Sequence, residues 1–347
     1  MIRAALTFLG CVVMLGVLGP LPVAFAEAAP HLVSKSTTAM GTQVSISVFT
    51  GDDEGAQRVI DNALDEVVRI ERLMTTWRDD SEVSRLNAAA GKMPVTISDE
   101  TMAVLEMSQQ SSAWSGGAFD VTYYGLHGLW KFDEDLEKRI PDAADVKARL
   151  PLIDWHKLKL DPKRHTAFLE KVGMAVNLGG IAKGYAVDRM ADILRRGGFP
   201  DALVQAGGDL LCAGTKGGKP WTAGIRDPRG GWKDVFAGIR LEDHAFSTAG
   251  DYERYFVLDG KRYHHILDPR TGMPALATRS VTVYAKTALL ADALDDAIFI
   301  MGWKRGFAML AKIPDVGAVV VDDEGAIHVS DRMKGRIDVF YTPKNIP

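Results

Sequence analysis

The chain predicts an α/β (α+β) fold with mixed sheets, and three observations carry that expectation. Gln43-Val-Ser-Ile-Ser-Val-Phe49 alternates apolar and polar residues, the pattern of a half-buried strand. Residues from Val59 to Met74 repeat apolar side chains at helical spacing. Beyond Met174, strand-like and helix-like segments are interleaved. The size permits two lobes with a cleft between them.

The N-terminus is set aside first. Arg3 is the only charge before the apolar stretch Ala4 to Leu18, and Ala24-Phe25-Ala26 follows as a small-x-small cleavage site before Glu27. Residues 1–26 thus read as a secretory signal peptide. A retained anchor is the alternative, but the stretch is shorter than the roughly 20 residues a spanning helix needs. Phe8-Leu9-Gly10-Cys11 lies too early to be a good lipid-attachment site. The expectation is a periplasmic protein with no stable membrane span after processing, and membrane association as the lesser alternative. The whole chain has a net charge of −4, and losing Arg3 makes it one unit more negative. Nucleic acid and acidic membrane surfaces are therefore not suggested as partners. Cys11 leaves with the signal, and Cys212 alone cannot form an intrachain disulfide.

The mature chain reads in order as follows. Residues 27–36 look like a loose leader, and 37–347 like one domain without internal repeats. Ser98 can cap a helix running to about Trp114, which Gly116-Gly117 ends. Residues 125–165, rich in charge, Pro and Trp, read as an irregular excursion. Met174-Ala-Val176 reads as a short strand end before a Gly-rich turn, and a helix follows from about Ile181 to Arg196. Strands are expected at Ala202–Val204, Ser280–Tyr284, Gly317–Val321 and Ile337–Tyr341, with helices at Thr287–Gly302 and Trp303–Lys312.

Four segments could carry chemistry. Asp292, Asp295 and Asp296 stand at i, i+3 and i+4 in an apolar helical run, so they share a face. Half-buried carboxylates that close repel, and a hard cation such as Mg²⁺ would relieve the repulsion. A wet acidic helix face is the plain alternative. Asn177-Leu-Gly-Gly-Ile-Ala-Lys183-Gly places a Gly-rich turn at a helix N-terminus, which suits a phosphate, with Lys183 one turn in. An unliganded strand-to-helix turn explains it equally well. His264 and His265 precede the turn Asp268-Pro-Arg-Thr-Gly272. Adjacent strand residues point to opposite faces, so at most one histidine should reach a given cleft, where it could take a proton from a hydroxyl. Trp77 at a helix end could stack on a flat ring or serve as structure. No histidine–cysteine cluster has zinc spacing, and no nucleophile elbow supports a Ser-His-Asp hydrolase.

Taken in order, these segments resemble one family, the ApbE-type FAD:protein FMN transferases. The resemblance runs through Met40-Gly-Thr42, Met74-Thr-Thr-Trp77-Arg-Asp-Asp-Ser81, Gly117-Ala-Phe-Asp120-Val-Thr122, Asn177 to Gly184, Ala206-Gly-Gly-Asp209, Ser247-Thr-Ala-Gly-Asp251, His264 to Gly272 and Ala291 to Asp296. It implies an exported Mg²⁺ enzyme of two-lobed α/β fold. Such an enzyme splits FAD in its cleft, moves FMN onto a threonine of a partner flavoprotein and releases AMP. By motif position, Met40, Trp77, Ala118, Phe119, Asp120, Asn177, Lys183 and Ile266 would contact FAD. Gly180 through its carbonyl, with Asp292, Asp295 and Asp296, would surround the metal, and His265 would assist attack by the threonine. The chain departs from the family's usual Asp at Asn177 and its more frequent Thr at Asp296. The lesser alternatives are FAD hydrolysis to FMN and AMP, or a carrier that binds FAD without chemistry.

Overall fold

The computed structural model describes residues 29–132 and 138–344. Its centre is an eight-stranded sheet whose strands follow the spatial order His31–Ala39, Thr42–Thr50, Ala202–Ala206, Asp209–Ala213, His244–Gly250, Thr278–Ala285, Gly317–Asp322 and Ile327–Val329. Among the described residues the helices are α1 (Asp53–Met74), α2 (Glu82–Ala88), α3 (Asp99–Ser115), α4 (Ala143–Arg149), α5 (Ala182–Arg196), α6 (Ala288–Met301) and α7 (Trp303–Leu310). None of them is long and apolar enough to cross a membrane. The mixed α/β character expected from the sequence is present. The pairing within the central sheet, however, is antiparallel throughout, not mixed. Alternation marks where strands lie but not which way a neighbour runs.

Successive side chains point to opposite faces of the sheet, and its inner strands, such as Asp209–Ala213 and Thr278–Ala285, are buried on both. Val44, Ile46, Val48, Val204, Leu211, Val281, Val283 and Val320 point into a large core shared with α1, α5 and α6. Leu210, Cys212, Phe246, Tyr284, Val319 and Val321 point the other way. There they meet Trp221, Ile225, Phe236 and Ile239 of a three-stranded sheet built from Trp221–Arg226, Val235–Leu241 and Ile337–Val339.

Two expectations are corrected. Residues 31–36 are not a loose leader: they begin the edge strand His31–Ala39, paired along its whole length with Thr42–Thr50. Its outward residues are polar apart from Leu32, and only Val33 and Ala39 are buried, so the hydrophobic signal is thin. Met40 and Gly41 turn the hairpin with φ of 52° and 71°, the left-handed pair a two-residue hairpin needs. The segment 174–176 belongs to no strand. The Asn87 side chain takes the place of a neighbouring strand, accepting from Val176 N at 2.8 Å and donating to Val176 O at 2.9 Å.

Helix limits follow local chemistry. Asp52 accepts from Gly55 N and starts α1 ahead of Val59. Ser98 caps α3, and Gly116 ends it at φ 63°. Thr287 caps α6, and Gly302 closes it at φ 76°.

Candidate active site

Helices α5 and α6 bring the predicted residues together. The N-terminus of α5 follows the turn Leu178-Gly179-Gly180-Ile181, and Asn177 Oδ1 accepts from Gly179 N at 2.7 Å to shape that turn. Asp188, nearly two turns into α5, accepts from Ala288 N at 2.8 Å and Leu289 N at 2.9 Å. It thereby fixes the start of α6 against α5. Gly184 N donates to Asp292 Oδ2 at 2.8 Å, so the two helices cross almost backbone to backbone.

At this crossing Asp292 and Asp295 are only 2% and 3% exposed, which rules out a wet face for that pair. Asp209, from the hairpin after Gly207-Gly208, joins them at 1% exposure. One oxygen from each of Asp209, Asp292 and Asp295 lies within 4.8 Å of the others. Asp296 is half-buried and faces the Gly-rich turn: a Cβ on Gly180 would stand 2.8 Å from its Oδ2. Ser247 ties the cluster together, donating to Asp295 Oδ2 at 2.6 Å and lying within hydrogen-bond reach of Asp209.

Lys183 is the basic side chain that enters this cluster. Its Nζ is 3.0 Å from Asp209 Oδ2, 3.4 Å from Asp292 Oδ1 and 3.3 Å from Gly179 O. Burial works against its charge, but Asp209, Asp292 and Asp295 outweigh burial and hold its pKa well above the ordinary value. One ammonium does not neutralise the set. Burial, then the neighbouring charge of Asp209, pushes Asp292 up to about 7. Burial, then repulsion from Asp296 and Asp292, raises Asp295 well above the carboxylate range, and burial lifts Asp296 to about 6. Asp209 Oδ2 is buried and accepts no aligned hydrogen bond. A buried, all-oxygen, under-neutralised cluster fits a hard divalent cation.

The two histidines separate as strand geometry requires. His264 is buried, with Nε2 2.7 Å from Ala275 O and Nδ1 accepting from Ile266 N at 3.3 Å, so it is structural. His265 turns the other way, anchored by its N–H to Arg254 O at 3.1 Å, and its Nδ1 is buried without a hydrogen-bond partner. Burial, then the charges of His264 and Arg254, lower its pKa to about 3, so the imidazole is neutral. The charge of Lys183 also reaches it.

The remaining residues expected at the site have distinct placements. Ala118 and Phe119 are buried, and the Phe119 ring packs 3.7 Å from where a Gly180 Cβ would stand. The Asp120 carboxylate accepts from Thr122 N at 2.8 Å and Trp155 N at 3.0 Å. That side chain organises its own segment. Asn177 Nδ2 donates to Thr76 Oγ1 at 3.3 Å, which links the Gly-rich turn to the residue before Trp77. Trp77 itself is 88% exposed, a bare indole at the end of α1. Ile266 is buried behind His265, and Met40 is half-buried at the hairpin turn.

Residues 40–320 match the ApbE family. The chain belongs to that family. ApbE relatives of similar length include an FAD:protein FMN transferase of Klebsiella pneumoniae, 34% identical over 307 residues, 88% of this chain and 94% of that one. Another, of Vibrio cholerae, is 33% identical over 322 residues, 90% of this chain and 95% of that one. Among solved structures, the ApbE protein of Thermotoga maritima superimposes with a TM-score of 0.81 at 34% identity, covering 88% of this chain and 99% of its own. The flavin transferase ApbE of Vibrio cholerae gives 0.77 at 30% identity, with the same coverage.

Within this ApbE fold, sequence reasoning left three participants out of the candidate set. Asp209 and Ser247 sit in motifs that carry the resemblance without a role assigned to either residue, because a Gly/Asp turn signal does not say where the turn ends in space. Arg254 carries no motif of its own; its place beside His265 comes from the pairing of Tyr255–Leu258 with Lys261–His264.

Proposed function

We propose that this chain transfers FMN from FAD to a threonine hydroxyl of a partner flavoprotein, with Mg²⁺, and releases AMP. The observation that carries this reading is the buried cluster of Asp209, Asp292 and Asp295, set against Lys183 and the N-terminus of α5. ApbE membership, with relatives named as FAD:protein FMN transferases, supports it. The signal-peptide pattern of residues 1–26, which lie outside the described residues, supports export to the periplasm.

The residues divide the work. Asp292, Asp295, Asp209 and Asp296, together with the carbonyl of Gly180, would hold the cation. A divalent cation there neutralises pyrophosphate oxygens that otherwise repel a nucleophile. Lys183 and the positive dipole end of α5 hold phosphate charge from the helix side. Trp77 offers its exposed face to a flat ring. His265, neutral and with an unpartnered ring nitrogen, accepts the proton of the incoming hydroxyl, a contribution of about 10²–10⁴-fold. The nucleophile comes from the acceptor, so the site needs no internal serine or cysteine.

The test is to incubate the protein with FAD and Mg²⁺, with and without candidate acceptor flavoproteins, and weigh the acceptors by mass spectrometry. An acceptor heavier by one FMN, with AMP released in equal amount, is the expected result. FMN released freely at the same rate whether or not acceptor is present would overturn the transferase reading.

A further inference from the structure

Arg254 stands apart from the other arginines around it. Arg229 is locked onto Asp251 by two bonds of 2.7 Å. Arg226 pairs with Glu253 at 3.5 Å and lies over the rings of Tyr252 and Trp232. Arg262 lies over Tyr255 at 3.9 Å. The Arg254 guanidinium is exposed and has no side-chain hydrogen bond or ion pair among the described residues.

Its position is nevertheless fixed. The Arg254 carbonyl accepts the His265 amide at 3.1 Å, so the two residues start the same hairpin. A Cβ on Gly41 would stand 3.2 Å from Arg254 Nη2, which places the guanidinium over the Met40-Gly41 turn. His265 feels the positive charge of both Arg254 and Lys183. Tyr123 feels both as well, together with the negative charge of Asp296. Both cations are therefore near enough to act on the same histidine and the same tyrosine. Lys183 is already engaged by carboxylates there, whereas Arg254 is not.

We propose that Arg254 is a catalytic residue that grips the non-bridging oxygens of the phosphoryl group being transferred, on the His265 side of the site. This rests on the transferase reading above. A guanidinium presents a planar fork that matches two phosphate oxygens, which an ammonium does not. The chemistry needs such a group. The acceptor oxygen forms a bond to the phosphorus of the FMN half, and its proton passes to His265. The bond from that phosphorus to the bridging oxygen breaks, and its electron pair leaves on the AMP phosphate. The cation cluster and Lys183 serve the pyrophosphate from the α5–α6 side. Arg254 supplies positive charge from the side on which the hydroxyl arrives.

The deciding measurement compares FMN with riboflavin, which lacks the phosphate. Both are titrated by flavin fluorescence, with Mg²⁺, into the full protein and its Arg254→Ala and Arg254→Lys variants. In Arg254→Ala, FMN affinity should fall about 10–100-fold, the scale of a charge-assisted pair of hydrogen bonds, while riboflavin affinity stays within about threefold. Arg254→Lys should recover only part of the loss. With FAD and acceptor, added guanidinium ion should partly restore transfer by Arg254→Ala, which a structural role would not allow. FMN and riboflavin affinities that move together, or not at all, would overturn the assignment. A wild-type protein that binds no flavin would overturn both this inference and the transferase reading. Wild-type protein that binds FMN but modifies no acceptor counts against the transferase reading alone.

Discussion

Gly184 N donates to Asp292 Oδ2 at 2.8 Å, and a Cβ on Gly184 would stand 2.7 Å from Asp292 Cβ. The helix that presents Lys183 to the site is thus in contact with the helix that presents the carboxylates. Gly184→Ala should push α5 and α6 apart and cost about 1–3 kcal/mol, the scale of overpacking in a tight core. Thermal unfolding with and without Mg²⁺ checks it: the melting temperature should fall, and the Mg²⁺-induced rise should shrink. An unchanged Mg²⁺ response would show that the helix contact does not set the carboxylates.

Asp292→Asn should abolish Mg²⁺-dependent FMN transfer while leaving metal-free protein at least as stable near pH 8. A buried carboxylate with too little positive charge near it destabilises the fold, and the amide removes that charge. Activity assays and urea unfolding on the same preparation measure both effects. Near-normal transfer by the variant would count against a metal role for Asp292.

The pH dependence has a definite sign. Asp292 is pushed up to about 7 and Asp296 to about 6, above the ordinary carboxylate value. Folded metal-free protein therefore holds protons that the unfolded chain has already released between about pH 4 and 7. That contribution to stability is present at low pH and fades as pH rises through 6 to 7. Mg²⁺ competes with those protons, so its affinity should climb over the same window. Mg²⁺ should raise the melting temperature far more at pH 8 than at pH 5.5; an equal rise at both would refute the coupling.

His264 and His265 should separate cleanly. His264→Ala removes a buried ring bonded to Ala275 O and packed edge-on against Phe299, so it should lower stability by about 2–4 kcal/mol. His265→Ala should leave stability within about 1 kcal/mol and slow transfer by about 10²–10⁴-fold. Single-turnover transfer rates beside melting curves decide it, and the reverse pattern would exchange the two roles.

Asp188 holds the first amides of α6 from inside α5. Asp188→Ala should cost about 1–2 kcal/mol, as other lost helix caps do. Because α6 starts there, Mg²⁺ affinity by calorimetry should weaken as well. A stability loss with unchanged Mg²⁺ binding would confine Asp188 to a structural role.

The sequence by itself determined the local pieces. The i, i+3, i+4 aspartates fixed one face of α6, Gly302 marked its end, and Ser98 with Gly116 marked both ends of α3. The Gly-rich turn before Lys183 was equally legible, because each of these signals lies within a few residues of chain. The tertiary structure decided what those pieces face. Asp209 and Ser247 reach the α6 carboxylates only through strand pairing across the sheet. Arg254 reaches His265 only through a hairpin, and Thr42–Thr50 finds its antiparallel neighbour Ala202–Ala206 across a long stretch of chain. The edge strand at His31–Ala39 was hidden because half its residues meet solvent and leave little hydrophobic signal. Local chemistry is written in neighbouring residues, whereas a buried charge cluster comes from segments far apart in the chain that meet because both faces of one sheet must be covered.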